Sequence, residues 1–144
     1  ELLELDPAVV SQAEGNLERW GIADRGRVLQ GDLLALPDEL RGPFQLALLF
    51  SLIYYFDGEE RITALRAVRE RLDEGGALAL TTNCRGPAFD PFSANLNLVT
   101  ASMHGLTSLP TPEEMDAQLR EAGYSSISLT RLIPGTTYFG FLAS

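Results

Sequence analysis

The sequence has one cysteine, one histidine and no lysine among its 144 residues, and it lacks a long uncharged apolar run. A single cysteine cannot form an intramolecular disulfide or a cysteine-based zinc site, which excludes a disulfide scaffold and a zinc finger. The longest nearly uncharged run, residues 44–56, is well short of the roughly 20 residues that a membrane helix needs, and the first residues do not form a basic-then-apolar signal. We therefore expect a soluble, cytoplasmic protein that does not associate with membranes.

Positive charge is also scarce, because 20 acidic residues stand against 11 basic ones, all of them arginine, and the formal net charge is -9. An acidic surface repels phosphate backbones, so we expect no nucleic-acid partner. Hydrophobic residues make up 45% of the chain and charged residues 22%, which is ordinary for a globular protein. The length fits one domain with one core, and we predict a single domain over residues 1–144.

Strand-like and helix-like segments alternate along the chain. Asp6 and Pro7 form a helix start directly after an apolar run, and residues 44–51 are almost continuously apolar, as in a strand buried on both faces of a parallel sheet. The predicted strands are residues 2–5, 27–30, 44–51, 77–82, 125–132 and 137–142. Three helices are predicted: the first from Pro7 to Gly21, the second from after Asp57 to Gly75–Gly76, and the third from after Thr111 to Gly123. This order predicts an α/β fold with a mostly parallel sheet and a closing antiparallel hairpin. Residues 83–110 are expected to form a binding loop that could contain a helix.

Polar side chains follow the predicted parallel strands at the edge where such sheets bind ligands. Glu4 closes the first strand, Asp32 follows the second, Ser51 ends the third, and Asn83 and Arg85 follow the fourth. A carboxylate can accept two hydrogen bonds from the vicinal hydroxyls of a ribose, and a neighbouring one can accept from an exocyclic amine. Glu4 and Asp32 together thus indicate an adenosine site, and the alternative is that both are solvated carboxylates at strand ends.

Five segments in order resemble the class I S-adenosylmethionine-dependent methyltransferases. Leu2-Leu3-Glu4-Leu5-Asp6-Pro7 resembles the second strand of that family, and Gly31-Asp32-Leu33-Leu34-Ala35-Leu36-Pro37 is similar to its "GD-x-x-x-LP" corner. Residues 44–57, 65–76 and 113–124 are similar to its fourth strand with the following loop, to the helix before its fifth strand and to its late "LL-x-x-AGF" segment. The resemblance implies S-adenosylmethionine as cofactor, held by Glu4 with Leu5 at the ribose, by Asp32 with Leu33 at the adenine, and by Ser51.

The family's glycine-rich first motif, roughly "E/D-x-G-x-G-x-G", does not occur in this sequence. The resemblance therefore implies a three-layer Rossmann-like sheet without its first strand, in a fragment that begins at the second strand. In the family that strand lies at the sheet centre, so its absence leaves two inner edges unpaired or forces them together. Unpaired edges promote association, and we expect a homodimer or a missing N-terminal segment to complete the sheet.

The implied activity is methyl transfer to a small-molecule acceptor at oxygen, nitrogen or carbon. Such a transfer needs the nucleophile and the methyl group held in line, with a general base where the acceptor must lose a proton. His104 is the weak candidate base, and the alternative is a surface residue. Tyr54 and Tyr55 are expected to stack on adenine or to line the acceptor pocket, or one of them to pack in the core, and Asn83 and Arg85 are acceptor contacts. No metal site is expected, since the paired glutamates 59–60 and 113–114 stand at helix starts.

Two other functions fit parts of the same pattern. The chain could be a non-catalytic remnant that keeps the fold for oligomerisation or partner binding, which the absence of the glycine-rich motif favours. It could also be a nicotinamide-dependent Rossmann enzyme in which Glu4 binds the ribose, although that class needs the same glycines.

Overall fold

The computed structural model describes residues 1–86 and 91–144, so residues 87–90 of the predicted binding loop lie outside the described part of the chain. The chain divides into two compact units, an amino-terminal unit Glu1–Gly42 and a carboxy-terminal unit Pro43–Ser144. The single domain expected from the length stays a prediction.

The amino-terminal unit is a β-α-β arrangement, as the sequence predicts. Strand β1 (Leu2–Glu4) and strand β2 (Val28–Gln30) are parallel neighbours, and helix α1 (Pro7–Arg19) connects them. Asp6 caps α1 by accepting a hydrogen bond of 2.8 Å from the backbone N–H of Ala8, with Pro7 in the first turn. Gly21, at φ +66°, takes the left-handed conformation just after the helix.

The carboxy-terminal unit is built on a four-stranded mixed sheet. Its strands are β3 (Phe44–Phe50), β4 (Leu72–Asn83), β5 (Ile127–Arg131) and β6 (Tyr138–Ala143). The order across the sheet is β3-β4-β6-β5, with β3 and β4 parallel and β6 antiparallel to both of its neighbours. The predicted closing hairpin is thus confirmed, and its second strand lies between β4 and β5.

Three helices accompany this sheet. Helix α2 (Gly58–Glu70) and helix α4 (Pro112–Glu121) each begin at a capping box, in which Asp57 and Thr111 accept a backbone N–H while Glu60 and Glu114 accept in return. Helix α3 (Pro91–Ser102) lies within the stretch predicted to be irregular. The capping residues therefore predicted the starts of two helices from the sequence alone.

The predicted end of α2 at Gly75–Gly76 is wrong. The helix ends at Glu70, and Leu72 already pairs with Phe44 as the first residue of β4. Leu72 lies four residues after Val68, where the next buried residue of a helix is expected, but Leu72 is buried as part of a strand. The register then shifts before Leu46 pairs with Ala77, and Gly76 lies in the resulting bulge. A Cβ on Gly76 would stand 2.8 Å from the carbonyl oxygen of Phe44, so this close approach needs a glycine.

One face of the sheet forms the core of the carboxy-terminal unit. Along β4, Leu78, Leu80 and Thr82 are buried, while the residues between them are partly exposed, as expected for a strand with one packed face. Helix α2 packs against β4 and against α4. The buried side chains that complete this core include Leu65, Met115, Leu119, Tyr124, Phe139 and Phe141.

The other face of the sheet is apolar and uncovered by the described residues. Leu46, Leu48 and Phe50 of β3 and Leu142 of β6 are 53% to 58% exposed, and we call these four residues the open sheet face. Within the described residues β1 pairs only with β2 and β3 pairs only with β4, so each has one edge without a strand. Among the described helices none combines the length and the apolar character that crossing a membrane requires.

Candidate functional site

Two predicted cofactor-binding carboxylates share one edge of the amino-terminal unit. Glu4 ends β1 and pairs in register with Gln30, and Asp32 follows β2 two residues later. Because β1 and β2 are parallel, the two carboxylates lie beyond the same, carboxyl end of this sheet. The structure therefore brings Glu4 and Asp32 to neighbouring corners, with exposed Leu5 and half-buried Leu33 beside them.

Each of these carboxylates makes one local hydrogen bond. Glu4 Oε1 accepts from the N–H of Asp6 at 2.9 Å, and Asp32 Oδ1 accepts from the N–H of Leu34 at 2.9 Å. These bonds fix the side chains and leave the second oxygen of each carboxylate free of described partners. A carboxylate oxygen accepts two hydrogen bonds, so the pair can still receive hydroxyl and amine donors from a nucleoside.

Ser51, the predicted cofactor contact in the carboxy-terminal unit, has a strained backbone. It follows β3 with φ +52° and is the one non-glycine residue in the described part of the chain with positive φ. Its N–H donates to the carbonyl oxygen of Thr81 at 2.8 Å, which holds this conformation against β4. Positive φ is unfavourable for a residue with a Cβ, and such strain is concentrated at functional turns.

This strain gives a testable result. We expect Ser51→Val to lower the free energy of unfolding by about 1 to 2 kcal/mol, because a β-branched side chain fits the left-handed region poorly. Ser51→Gly should keep the wild-type stability, because glycine accepts positive φ at no steric cost. Urea denaturation, monitored by hydrogen exchange of the β3 and β4 amides, measures the stability of both variants. Equal stability of the two variants would show that the turn relaxes out of the strained conformation.

Three tyrosines gather at the carboxyl end of β3 and β4. Tyr54 and Tyr55 lie in a 3₁₀ turn (Ile53–Tyr55), with ring centroids 5.0 Å apart and planes inclined at 41°. Tyr138, at the start of β6, has its hydroxyl 2.8 Å from Oγ1 of Thr81. Burial raises the pKa of Tyr54 above its ordinary value, and the neighbouring phenols of Tyr55 and Tyr138 add to the shift. Tyr54 is therefore protonated at neutral pH and can donate a hydrogen bond, but it is not a general base there.

A buried arginine that the sequence analysis missed holds this turn in place. Arg61 is 5% exposed, its Nε donates to the carbonyl oxygen of Ile53 at 3.0 Å, and its Nη2 donates to the carbonyl oxygen of Ser108 at 2.6 Å and to Oγ1 of Thr107 at 2.7 Å. Burial lowers the pKa of Arg61, and the nearby carboxylates of α2 and α4 act in the opposite direction. The helical spacing of the sequence could have indicated that Arg61 is buried, because Arg61 lies on the same helix face as the apolar residues Ala64, Leu65 and Val68.

The chain after α3 is tied to the same turn. The N–H of Thr107 donates to the carbonyl oxygen of Tyr54 at 2.7 Å, and its hydroxyl lies 2.7 Å from the carbonyl oxygen of Phe56. Arg61 and Thr107 therefore fix the tyrosine-bearing turn from both sides, which fits a rigid support for a ligand site.

The remaining predicted site residues lie outside the turn Ile53–Tyr55. His104 is exposed in a turn after α3 and takes part in none of the described hydrogen bonds. Arg85 forms an ion pair of 2.9 Å with Glu114, and Asn83 ends β4 opposite Tyr138. Between them, Cys84 is buried, and burial raises the pKa of its thiol to about 12, so it is not a nucleophile at neutral pH. Within residues 1–86 and 91–144, no three histidine, cysteine or acidic side chains are grouped as a metal site.

The described structure is similar to solved methyltransferases. It matches PigF with SAH at a TM-score of 0.82 with 20% identity, over 99% of this chain and 42% of that chain. It matches the mitomycin 7-O-methyltransferase MmcR at a TM-score of 0.82 with 19% identity, over 99% of this chain and 40% of that one. An O-methyltransferase family protein from Burkholderia thailandensis gives a TM-score of 0.81 with 20% identity, over 99% and 42% of the two chains. No protein-family model matches the sequence, and no curated protein matches it.

These matches define the class of fold. The chain has the Rossmann-like α/β fold of S-adenosylmethionine-dependent methyltransferases, which confirms the resemblance drawn from the five sequence segments. It spans about two fifths of the length of the matching structures, 40% to 42% of each.

Proposed function

We propose that this chain is part of an enzyme that transfers a methyl group from S-adenosylmethionine to a small-molecule acceptor. The observation that carries the proposal is the position of Glu4 and Asp32 at one carboxyl edge, in a fold shared with PigF, which was solved with SAH. One of the matching structures, MmcR, is a mitomycin 7-O-methyltransferase, and this match supports O-methylation of a small molecule. The net charge of -9 supports an acceptor other than nucleic acid.

On the cofactor side, the roles follow from the free carboxylate oxygens. Glu4 would accept hydrogen bonds from the two ribose hydroxyls, and Asp32 would accept one from the adenine amine. Leu5, which is 65% exposed, and Leu33 would supply apolar surface for the adenine ring. Ser51 would contact the cofactor from the strained turn after β3. The bound cofactor supplies the electrophilic methyl group.

On the acceptor side, the carboxy-terminal unit supplies positioning groups. Tyr54 and Tyr55 would form an aromatic wall, and the protonated hydroxyl of Tyr54 would donate a hydrogen bond to an acceptor oxygen. Asn83 and Arg85 would contact polar groups of the acceptor. Arg85 forms an exposed ion pair with Glu114, and this contact would not require that pair to break. Catalysis would rest on holding the acceptor in line with the methyl group, with His104 as the candidate base.

Titration calorimetry with S-adenosylhomocysteine tests the cofactor site. We expect Glu4→Ala and Asp32→Ala each to weaken binding by roughly 1 to 3 kcal/mol, because each removes hydrogen bonds to a charged group. Asp24→Ala, which removes an exposed carboxylate elsewhere in the same unit, is the matched control and should leave the affinity unchanged. The titrations use the 144-residue chain and, where the encoded protein is longer, the longer form.

The outcomes separate the three readings of the sequence. Binding that depends on Glu4 and Asp32 supports a methyltransferase. Unchanged affinity in both variants would contradict the assignment of Glu4 and Asp32 to cofactor binding. Absence of binding in every form favours a non-catalytic remnant, and a nicotinamide nucleotide that binds instead, detected by its fluorescence, favours the dehydrogenase class.

We also propose that a polypeptide segment outside these residues covers the open sheet face and pairs with the free edge of β3. Four large apolar side chains more than half exposed on one face are costly in water, and a free strand edge presents unpaired backbone groups. The matching structures are more than twice as long as this chain, which leaves ample sequence to supply that cover. A second copy of the chain is the competing occupant.

Hydrogen exchange of the β3 amides distinguishes these occupants. We expect the amides that face the free edge to exchange rapidly in the 144-residue chain and slowly in the longer form. Leu48→Lys should destabilise the longer form and leave the short chain unaffected, because the proposed segment would cover Leu48, which is 56% exposed in the short chain. A discrete dimer of the short chain that protects these amides and is lost in Leu48→Lys would instead assign the face to a second copy.

A further inference from the structure

A cavity of about 580 Å³ lies at the carboxyl end of β4, between the start of α4 and the turn that joins β5 to β6. Arg85, Glu113, Arg131, Thr137 and Phe139 are among its lining residues. None of its lining residues belongs to the tyrosine-bearing turn, and Arg85 is the one lining residue that the proposed acceptor site also uses. Its volume is enough for a small organic molecule.

Among residues 1–86 and 91–144, the charged groups of this cavity include one arginine without a carboxylate partner. Arg85 is neutralised by Glu114 at 2.9 Å. Arg131 has no carboxylate partner among the described residues; its guanidinium carbon stands 5.1 Å from the centre of the Phe139 ring, and its Nη1 donates to the carbonyl oxygen of Thr136 at 2.9 Å. These two contacts orient the guanidinium plane and use one of its five N–H donors. The remaining donors keep the fork that binds a carboxylate through two parallel hydrogen bonds.

A second, independent feature also calls for a hydrogen-bond acceptor. Thr137 is 6% exposed, and its hydroxyl has no hydrogen-bond partner among the described residues. A buried hydroxyl without a partner is unfavourable, so such groups are rare unless a ligand or water satisfies them. Thr137 lines the same cavity as Arg131, so a ligand bound there lies beside both residues.

The local field selects the charge of the ligand. Helix α4 begins at the cavity with Pro112, and the positive end of its dipole favours an anion. Glu113, exposed in the first turn of α4, adds a negative charge to the lining and repels a dianion about twice as strongly as a monoanion. A single negative charge with two equivalent oxygens meets both conditions, which favours a carboxylate over a phosphate.

We propose that this cavity binds the carboxylate group of a small organic acid, with Arg131 as the bidentate donor and Thr137 as the second donor. The apolar floor formed by Phe139, which is 8% exposed, would hold the carbon skeleton of the acid. The proposal does not rest on methyl transfer, because none of these residues is assigned to the cofactor.

Nuclear magnetic resonance titration of the 144-residue chain with three probes tests this site. Benzoate is the carboxylate, benzamide its neutral analogue of the same shape, and inorganic phosphate the competing anion. We expect saturable shifts of the Arg131, Thr137 and Phe139 amides with benzoate, and at least tenfold weaker binding of benzamide and phosphate. Arg131→Met should weaken benzoate at least tenfold, and Thr137→Val at least threefold.

Arg120→Met is the matched control, because Arg120 is an exposed arginine of α4 that pairs with Asp116 at 2.8 Å and does not line the cavity. It should bind benzoate like the wild type, and unchanged amide spectra of all three variants show that they fold. The proposal is wrong if benzoate does not saturate, if benzamide binds equally well, if phosphate binds as tightly, or if Arg131→Met and Arg120→Met behave alike.

Discussion

Replacing Arg61 with methionine is expected to lower the free energy of unfolding of the carboxy-terminal unit by about 3 kcal/mol or more. The guanidinium donates to three acceptors, the carbonyl oxygens of Ile53 and Ser108 and the hydroxyl of Thr107. Methionine fills much of the volume but donates nothing, so three hydrogen bonds to a charged group are lost, each contributing about 1.5 to 3 kcal/mol. The Ile53 carbonyl oxygen keeps the N–H of Phe56 at 3.2 Å, whereas the Ser108 carbonyl oxygen loses its described donor. The substitution should also release the turn that carries Tyr54 and Tyr55.

The measurement must report on the correct unit. Trp20, the one tryptophan, belongs to the amino-terminal unit, so its fluorescence does not report on Arg61. Hydrogen exchange of the α2 and β4 amides at increasing urea concentrations reports on the stability of the carboxy-terminal unit. Arg66→Met on the same helix, where Arg66 is exposed and donates at 3.3 Å to the carbonyl oxygen of Glu121, should cost about 0.5 kcal/mol or less. Similar losses in both variants would mean that Arg61 contributes only as a surface charge.

Replacing Leu80 with alanine is expected to cost about 2 to 5 kcal/mol of stability. Leu80 is 1% exposed and lies on the face of β4 that meets the helices, where its removal leaves a cavity among packed side chains. The loss combines the transfer free energy of the side chain with the cost of that cavity. Urea denaturation followed by circular dichroism measures it.

Leu142→Ala is the control for Leu80→Ala, because it removes the same atoms from the opposite face of the neighbouring strand. Leu142 pairs with Ala79 and is 53% exposed, so its loss should cost less than about 1 kcal/mol in the 144-residue chain. A cost as large as that of Leu80→Ala would show that the open sheet face is already covered, and it would contradict the proposal of an external segment.

Much of this fold follows from local signals in the sequence. Asp6 with Pro7, Asp57 with Glu60, and Thr111 with Glu114 predicted where three helices begin, because a cap satisfies backbone N–H groups through side chains a few residues away. The junction of α2 and β4 was predicted wrongly, since Leu72 fits both a helical stripe and a buried strand. Only the pairing of Leu72 with Phe44 decides between them.

The candidate site was predictable in part for the same reason. Glu4, Asp32 and Ser51 stand at strand ends, and the position of a strand end follows from apolar runs and turns that are local in sequence. Their roles in cofactor binding stay predictions. Tyr138 was missed because it reaches Thr81 only through the antiparallel pairing of β4 with β6, 57 positions away in the chain.

The sequence by itself determined the element order, the absence of the glycine-rich motif and the carboxylates at the strand ends, because these depend on residues close together in the chain. Tertiary structure alone decided that β6 lies between β4 and β5, that Arg61 is buried beneath the tyrosine turn, and that Arg131 and Thr137 line one cavity. Each of these depends on contacts between residues that are distant in the chain or in different elements. Those contacts are fixed by how the whole set of apolar faces packs, and no local sequence pattern specifies that packing.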